Sequence, residues 1–342
     1  MDSGFYYRTG ICDEKGFDTG KDPFMASYPH LLDVGIMGSC IHGKSGLCLK
    51  SGTQCYQDGL NISQDNMKLI DFKKIVDESK GKLFQIALGG RGDPDMHENF
   101  EDILKYCRDN DIVPNMTTSG FGLTEEKVKL IRKYCGAVAV SWYKTDYTFK
   151  AIDLLLKEEI KTNIHYVLGN NSIKEAYDLL TEERIPKGIN RIIFLLHKPV
   201  GLGQSENVLK ASDPMVKKFF NLFNEDKYCN VAGFDSCCVP GLINYSTNIH
   251  LDSIDTCEGA RYSAYITPDM KIVPCSFDQN LKWACNLRQY TIQEAWESIE
   301  FEKFRSTLKM SCPQCDKKNY CLGGCPVKNE IVLCNRDVRT IK

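Results

Sequence analysis

Apolar residues recur along most of the chain in two alternating patterns. Short, mostly apolar runs predict buried strands at residues 30–36, 83–88, 112–117, 137–141, 162–168 and 191–196. Between these runs, apolar residues fall three and four positions apart, the spacing of a helix face. A clear example is the set Phe100, Ile103, Leu104 and Cys107. The pattern therefore predicts strands alternating with helices from residue 30 to about residue 225.

Six strands joined through helices indicate a parallel sheet, since parallel neighbours need crossover connections. Six is fewer than the eight strands of a closed barrel. We therefore expect an α/β fold, a partial, TIM-like (β/α)6 barrel. Ligands of such sheets bind at the C-terminal ends of the strands.

The pattern changes near residue 225, where long periodic runs give way to a cysteine-rich segment. One helix is predicted there, over 292–308. We expect an N-terminal extension at 1–29, the barrel at 30–225, and a small second domain at 226–342. The last has few core residues and is expected to depend on bound metal for stability.

The 342 residues carry a formal net charge of −2, which gives no general attraction to nucleic acid or to a membrane surface. The sequence shows no secretory signal and no apolar run of about 18 residues. We expect a cytoplasmic protein. In a reducing compartment, the 17 cysteines favour metal binding over disulfides.

Three of these cysteines, Cys40, Cys48 and Cys55, follow the first predicted strand in a loop rich in glycine and serine. Three thiolates on one metal cluster would leave a coordination position open, which is where chemistry can occur. The alternative is a set of buried thiols without metal, because free cysteine often packs as a small apolar residue.

A glycine-rich segment follows the second strand, with the sequence Gly-Gly-Arg-Gly-Asp-Pro at 89–94. Gly89, Gly90 and Gly92 would let the backbone approach a ligand closely, and Asp93 could pair with a ligand ammonium group. The alternative is a tight turn with a solvated acid.

The C-terminal segment holds a third group of cysteines. Cys312, Cys315, Cys321, Cys325 and Cys334 have the spacing C-x2-C-x5-C-x3-C-x8-C, and Cys257 and Cys275 precede them. Seven thiols exceed the four ligands of one zinc ion, so two metal centres are indicated, either zinc or iron-sulfur.

The order of these three motifs resembles that of the radical S-adenosylmethionine enzymes with a C-terminal SPASM domain, over roughly residues 30–335. The resemblance implies that Cys40, Cys48 and Cys55 hold a [4Fe-4S] cluster whose unique iron binds S-adenosylmethionine. One-electron reduction then yields a 5′-deoxyadenosyl radical, which abstracts hydrogen from the substrate. The implied cofactor-binding residues are Gly89, Gly90, Gly92, Asp93, Ser141 and Tyr56.

The same resemblance implies two auxiliary [4Fe-4S] clusters, three clusters in all. Cys257, Cys275 and Cys325 would bind the first, and Cys312, Cys315, Cys321 and Cys334 the second. A fourth ligand of the first cluster could be Cys285, Cys237 or Cys238, or the site could be open.

The chain departs from the family pattern in two places. The triad has seven and six intervening residues where the family has three and two, and Met270 stands where a glycine is expected before Cys275. His42 in the long loop could be a ligand, although a solvated loop histidine is the simpler expectation. Asp278 is a weak candidate for a catalytic base, a surface acid being the alternative.

The resemblance implies an enzyme that modifies a peptide or protein by crosslinking, thioether formation or epimerisation, with an electron donor such as flavodoxin or ferredoxin. About 30 residues precede the first strand, too few for a winged leader-binding domain, so a separate recognition protein or a leaderless substrate is expected. Dehydrogenation or rearrangement of a small metabolite is the alternative within the family. A zinc-containing binding protein without radical chemistry is the alternative outside it.

Overall fold

A computed structural model describes residues 25–50, 52, 54–249, 254–310, 321 and 323–334, without the side chains of residues 44, 48, 49, 309 and 310. The strands are β1 Leu31–Met37, β2 Gln85–Gly90, β3 Val113–Thr118, β4 Val138–Ser141, β5 Thr162–Leu168, β6 Arg191–Leu196, β7 Ala232–Phe234, β8 Ser263–Ile266, β9 Lys271–Val273 and β10 Cys285–Asn286. The α-helices are α1 Ile41–Ser45, α2 Leu47–Lys50, α3 Leu69–Ser79, α4 Phe100–Asp109, α5 Glu125–Tyr134, α6 Asp146–Lys157, α7 Ile173–Thr181, α8 Pro214–Asn221, α9 Asp226–Cys229, α10 Val239–Tyr245, α11 Ile292–Trp296 and α12 Ile299–Met310.

The strands form one sheet with the order β10-β9-β8-β1-β2-β3-β4-β5-β6-β7. All neighbours from β8 through β1 to β7 are parallel. β9 and β10 extend one edge with antiparallel pairing. Over the described residues the sheet is not closed into a barrel, because β7 and β10 stand at opposite ends of the order. This confirms the expected α/β fold with a partial barrel.

Burial alternates over the first four residues of β1 and distinguishes the two faces of the sheet there. Leu32, Val34 and Ile36 are fully buried and belong to the core between sheet and helices. Asp33 lies between them and is only half-buried, so it points to the opposite, concave face. Thr117, Ser141 and His165 have the same intermediate exposure. The outer face is therefore apolar, while the concave face carries polar groups.

The helices cover the outer face with the apolar sides that the sequence predicts. In α4 the buried residues are Phe100, Ile103, Leu104 and Cys107. Helix starts are fixed locally: Thr145 caps α6 in a capping box, and the Asp213 carboxylate accepts a hydrogen bond from the Met215 amide at 2.7 Å at the start of α8. No helix in the described part of the chain combines the length and apolarity needed to cross a bilayer.

All six predicted strands are present, those at 162–168 and 191–196 with the predicted limits. The single helix predicted over 292–308 is wrong, because α11 ends at Trp296 and α12 begins at Ile299. The Ser298 hydroxyl accepts a hydrogen bond from the Phe301 amide at 3.3 Å, which satisfies a donor at the new helix start. The structure also adds β7 to β10, which the pattern did not predict.

Candidate active site and metal centres

The cysteine loop begins directly after β1 and folds back on itself. A Cβ atom on Gly43 would lie 1.8 Å from the carbonyl oxygen of Gly59, so the two backbones approach too closely for any side chain there. A Cβ atom on Gly59 would in turn lie 2.9 Å from Cβ and 3.6 Å from Sγ of Cys40. These contacts place residue 59 against the first thiol of the loop.

Cys40 and Cys55 are brought together at the mouth of the sheet. Burial raises the pKa of the Cys55 thiol, and the charge of Cys40 raises it further. The backbone N–H groups of Gly59, Gln57 and Asp58 act in the opposite direction by donating toward the sulfur. Amide donors around two neighbouring thiols suit sulfur ligands of an iron-sulfur cluster. The Cys48 side chain lies outside the described residues, so its part in the triad stays a prediction.

Arg91 fixes this loop to the sheet, a role the sequence interpretation missed. Its Nε donates to the carbonyl oxygen of Gln57 at 2.8 Å, and Nη1 donates to that of Gly38 at 3.4 Å. The guanidinium thus joins the far end of the cysteine loop to the end of β1. The available signal was its place inside the glycine motif, where only the flanking residues were considered.

The three motif glycines have different surroundings. Around Gly89 an added Cβ would meet no atom within 4 Å, so this position faces open space. Gly90 has a φ of 106° and lies against Gly35, whose Cα would be 2.8 Å from an added Cβ. At Gly92 an added Cβ would approach the carbonyl oxygen of Ser39 to 2.5 Å. The last two positions hold the motif against β1, while Gly89 leaves room for a ligand.

Asp93 is buried and already has protein partners. Its carboxylate accepts hydrogen bonds from the Ser119 amide at 2.7 Å and from the Ser119 hydroxyl at 2.5 Å. His42 Nε2 lies 3.3 Å from the same carboxylate and 2.6 Å from the Ser119 Oγ. Direct pairing of Asp93 with a ligand ammonium group stays a prediction.

His42 is 2% exposed, so the expectation of a solvated loop histidine is wrong. Burial lowers the pKa of His42, but the hydrogen bond and charge of Asp93 outweigh it and the net shift is upward. Its Nδ1 is buried and has no hydrogen-bond partner among the described residues. The imidazole therefore links the cysteine loop to Asp93 from inside the protein.

The concave face carries polar side chains on three consecutive strands. Ser141 on β4 is in register with His165 on β5, and the Thr117 hydroxyl on β3 lies 3.4 Å from His165 Nδ1. Burial lowers the pKa of His165 to about 4, so the imidazole is neutral at pH 7. Ser141 thus lies on the face where the resemblance expects the cofactor, although contact with it is untested.

Tyr56 connects the cysteine loop to the C-terminal segment. Its ring packs on Phe277 with centroids 4.6 Å apart, and burial raises the pKa of its hydroxyl. Cys55 precedes Tyr56, and Phe277 lies two residues after Cys275. The packed rings therefore join the segments that carry Cys55 and Cys275. Whether Tyr56 also contacts the cofactor stays a prediction.

Cys257, Cys275 and Cys325 form the second group of thiols. Burial raises the pKa of Cys257 to about 12, and the charge of Cys325 adds to this. The Cys275 pKa is raised by burial and then by Cys257 and Cys325. A Cβ on Gly259 would lie 2.7 Å from the Pro274 carbonyl oxygen, which shows how closely these segments approach. The three predicted ligands of the first auxiliary cluster are therefore neighbours.

The third group is only partly described. Cys312 and Cys315 lie outside the described residues, whereas Cys321 and Cys334 lie within them. The Thr256 hydroxyl donates to the Cys321 carbonyl oxygen at 2.6 Å, which holds this segment beside Cys257. Within the described ranges, no three His, Cys, Asp or Glu side chains converge to hold one metal ion. The ligand set of the second auxiliary cluster stays a prediction.

Asp278 is 4% exposed, so it is not the surface acid considered as the alternative. Its two carboxylate oxygens accept hydrogen bonds from the amides of Lys282 and Trp283, each at 3.1 Å. This stabilises the turn after Cys275. Asp278 also borders a cavity of about 160 Å³ whose other walls include Gln57 and Tyr265. A catalytic role stays a prediction.

Comparison with known proteins agrees with this arrangement. Residues 257–321 match the family model of the SPASM domain, described as an iron-sulfur cluster-binding domain. This range begins at Cys257 and ends at Cys321, and it covers most of the cysteine-rich segment.

Solved structures share the fold over nearly the whole chain. Streptococcus suis SuiB bound to S-adenosylmethionine matches with a TM-score of 0.70 and 16% identity, over 93% of this chain and 78% of that chain. SuiB bound to precursor peptide SuiA matches with a TM-score of 0.71 and 15% identity, over 93% of this chain and 77% of that chain. Native anSMEcpe with bound AdoMet and a peptide matches with a TM-score of 0.62 and 18% identity, over 90% of this chain and 92% of that chain. Residues 257–321 thus match the SPASM iron-sulfur cluster-binding domain, and the chain shares its fold with SuiB and anSMEcpe, as the resemblance leads us to expect.

Proposed function

We propose that this protein is a radical S-adenosylmethionine enzyme that abstracts a hydrogen atom from a peptide or protein substrate. The observation that carries the proposal is the cysteine loop with Cys40 and Cys55 together, tied to β1 by Arg91 at the edge of a polar concave face. The relatives SuiB and anSMEcpe support it, because both are described with S-adenosylmethionine and with a peptide bound.

The residues at this site suit a [4Fe-4S] cluster, since two thiols and three amide donors lie together and Gly89 faces open space. When bound, S-adenosylmethionine supplies the 5′-deoxyadenosyl radical after one-electron reduction. The protein's own part is to position the cluster and the cofactor and to exclude water from the site. Arg91 holds the loop, and Gly90 and Gly92 keep the glycine motif against β1.

The finer assignments belong to the same proposal. Gly89, Gly90, Gly92 and Asp93 would bind the methionyl part of the cofactor, and Ser141 and Tyr56 would contact the rest. Three clusters are proposed, with ligands Cys40, Cys48 and Cys55, then Cys257, Cys275 and Cys325, then Cys312, Cys315, Cys321 and Cys334. A flavodoxin or ferredoxin would supply the electron, in a cytoplasmic setting.

The choice of a peptide over a small metabolite rests on the relatives with bound peptides. The proposal includes three modifications of the peptide: a crosslink, a thioether or an epimerisation. Dehydrogenation or rearrangement of a metabolite is the competing outcome, and products formed with peptides encoded beside this gene distinguish the two.

The decisive experiment is reductive cleavage of S-adenosylmethionine by anaerobically purified protein. Wild type should form 5′-deoxyadenosine with dithionite as reductant, and Cys55→Ala should not. Cys229→Ala is the matched control, because Cys229 is an exposed thiol in α9 outside the three groups. Cleavage by Cys55→Ala at the wild-type rate would refute the triad.

Metal content tests the alternative from another class. The proposal expects a brown protein with iron and sulfide for about three clusters. A colourless protein that contains zinc, and no iron after anaerobic reconstitution, would instead support a non-enzymatic binding protein.

A further inference from the structure

We propose that Cys237 is the fourth ligand of the first auxiliary cluster, so that this cluster is ligated by four cysteines and has no open position for substrate. The inference rests on the iron-sulfur content of the proposed function. It concerns a residue outside the matched SPASM range, since Cys237 precedes Cys257 by 20 positions.

Cys237 is placed by the far edge of the sheet. It lies in a short 3-10 turn, Ser236–Cys238, that follows β7 directly. The Asp235 carboxylate accepts a hydrogen bond from the Cys238 amide at 3.2 Å and fixes this turn. Asp235 also accepts from the Leu196 amide at 3.0 Å, at the C-terminal end of β6. The turn is therefore held at the strand ends, where ligands of parallel sheets bind.

The side chain of Lys198 joins this turn to the Cys275 segment. Its Nζ donates to Asp235 at 3.1 Å and lies 4.1 Å from the ring centroid of Phe277. Lys198 is 3% exposed, and its Nζ also donates to the Leu196 carbonyl oxygen at 2.9 Å. One buried ammonium group therefore contacts residues two positions from Cys237 and two positions from Cys275.

Cys237 interacts with the thiols of this group. The charges of Cys325 and Cys257 both act on the Cys237 thiol, and Lys198 lies close to both Cys237 and Cys275. The Asn244 side chain donates to the Leu333 carbonyl oxygen at 3.0 Å, which joins α10, next in sequence to Cys237, to the segment that contains Cys325. Cys237, Cys257, Cys275 and Cys325 therefore come from four segments that lie near one another in the protein interior.

The other two candidates for the fourth ligand have different partners. The Cys238 thiol is fully buried and points to the Phe194 carbonyl oxygen at 3.8 Å, on the core side of β6. The Cys285 thiol lies 3.3 Å from the Ser298 hydroxyl, between α11 and α12. The charges of Cys257 and Cys325 are among the largest that act on Cys237, but they are not among the largest that act on Cys238 or Cys285.

The Lys198 ammonium group lies near this group of thiols and offsets part of the negative charge of four thiolates. An ammonium group in a region with little water stabilises the more negative, reduced state of a cluster. Asp235 holds the ammonium in place. A fully ligated cluster beside the Tyr56–Phe277 ring pair is suited to transferring electrons rather than to binding substrate.

The test uses protein that lacks the radical cluster, with Cys40, Cys48 and Cys55 replaced by alanine, so that all iron belongs to the auxiliary clusters. Adding Cys237→Ala should lower iron and sulfide by up to about half, one of two clusters, and change the EPR spectrum of the dithionite-reduced protein. Cys238→Ala is the matched neighbour and should change neither. Unchanged iron and spectrum in Cys237→Ala would overturn the inference.

Alkylation of wild-type protein supplies a test that needs no variant to fold. Iodoacetamide and peptide mapping should find Cys237 unmodified in the cluster-loaded protein and modified after the iron is removed by a chelator. Cys229 should be modified in both states. Modification of Cys237 at equal levels in both states would overturn the inference.

The two proposals fail separately. If wild type forms no 5′-deoxyadenosine while Cys237 is protected by iron, the proposed reaction is wrong and the ligand assignment stands. If wild type cleaves S-adenosylmethionine while Cys237→Ala keeps its full iron content, the assignment alone is wrong.

Discussion

Met270 occupies a backbone position that normally belongs to glycine. Its φ is 69°, in the left-handed region, and its side chain is only 1% exposed. It ends the turn between β8 and β9, where its amide donates to the Thr267 carbonyl oxygen at 3.0 Å and its carbonyl accepts from the Leu287 amide at 2.8 Å. Two opposing effects therefore meet at one residue: buried apolar area and backbone strain.

The magnitudes predict an unusual order of variants. Met270→Ala removes the buried side chain and keeps the strain, at a cost of about 2–5 kcal/mol in the free energy of unfolding. Met270→Gly removes the same side chain but also relieves about 1–2 kcal/mol of left-handed strain. Glycine adds about 0.5–1 kcal/mol of backbone entropy cost. Glycine should therefore be better tolerated than alanine, by about 0.5–1 kcal/mol on balance.

Anaerobic urea unfolding of the cluster-loaded protein measures the difference. The matched control is Met67, which is fully buried and does not have a positive φ. There, alanine should be better tolerated than glycine by about 0.5–1 kcal/mol. Glycine in place of alanine should thus raise the free energy of unfolding at residue 270 and lower it at residue 67. The same direction of change at both sites would show that the left-handed backbone at 270 is not strained and would refute the reasoning.

Three further predictions concern the site. Gly59→Ala should displace Cys40, because the added Cβ would lie 2.9 Å from the Cβ of Cys40. Iron analysis of this variant should show loss of the radical cluster. The control Lys50→Ala, an exposed change on the same loop, should keep the cluster. Arg91→Met should lower the stability of the cysteine loop by about 1.5–3 kcal/mol, the value of hydrogen bonds to charged groups. A chelator should then remove the radical-cluster iron faster from the variant than from wild type. Equal rates would contradict the role of Arg91 in holding the loop. Asp33→Asn tests a half-buried carboxyl group whose pKa is raised to about 6 by desolvation. The folded state then binds the proton more tightly, so wild-type stability falls as pH rises from about 4 to 6 and stays low above it. The variant should be more stable than wild type at pH 8, by up to about 3 kcal/mol, with the gap closing toward pH 4 in urea titrations. A gap independent of pH would exclude a titrating Asp33.

The sequence predicted those elements whose signal is local. The apolar runs at 162–168 and 191–196 predicted β5 and β6 with their limits. β7 to β10 have two to four residues each, too few for periodicity to be detected. β7 also pairs with β6, and β8 with β1, which lie far away in the sequence, so periodicity alone does not predict these pairings.

The same distinction applies to the site. The thiol motifs and the glycine motif are short linear patterns and were found from spacing. Arg91 acts through backbone carbonyls at residues 57 and 38, and its place inside the glycine motif does not identify these two partners. The buried state of His42 depends on Asp93 and Ser119, 51 and 77 residues away. Neither could be predicted before the loop was folded against the sheet.

The pairing of β8 with β1 bears on how the protein matures. Leu31 pairs with Ser263 and Val34 with Ile266, so the first strand of the sheet acquires this neighbour only after most of the chain has been synthesised. Contacts of such long sequence separation form late and slowly. Until then, the edge of β1 that pairs with β8 has no partner, and the cysteine loop follows directly after this strand. We therefore expect stable cluster insertion to follow release from the ribosome, and a chain truncated before residue 263 to be a poor acceptor of iron.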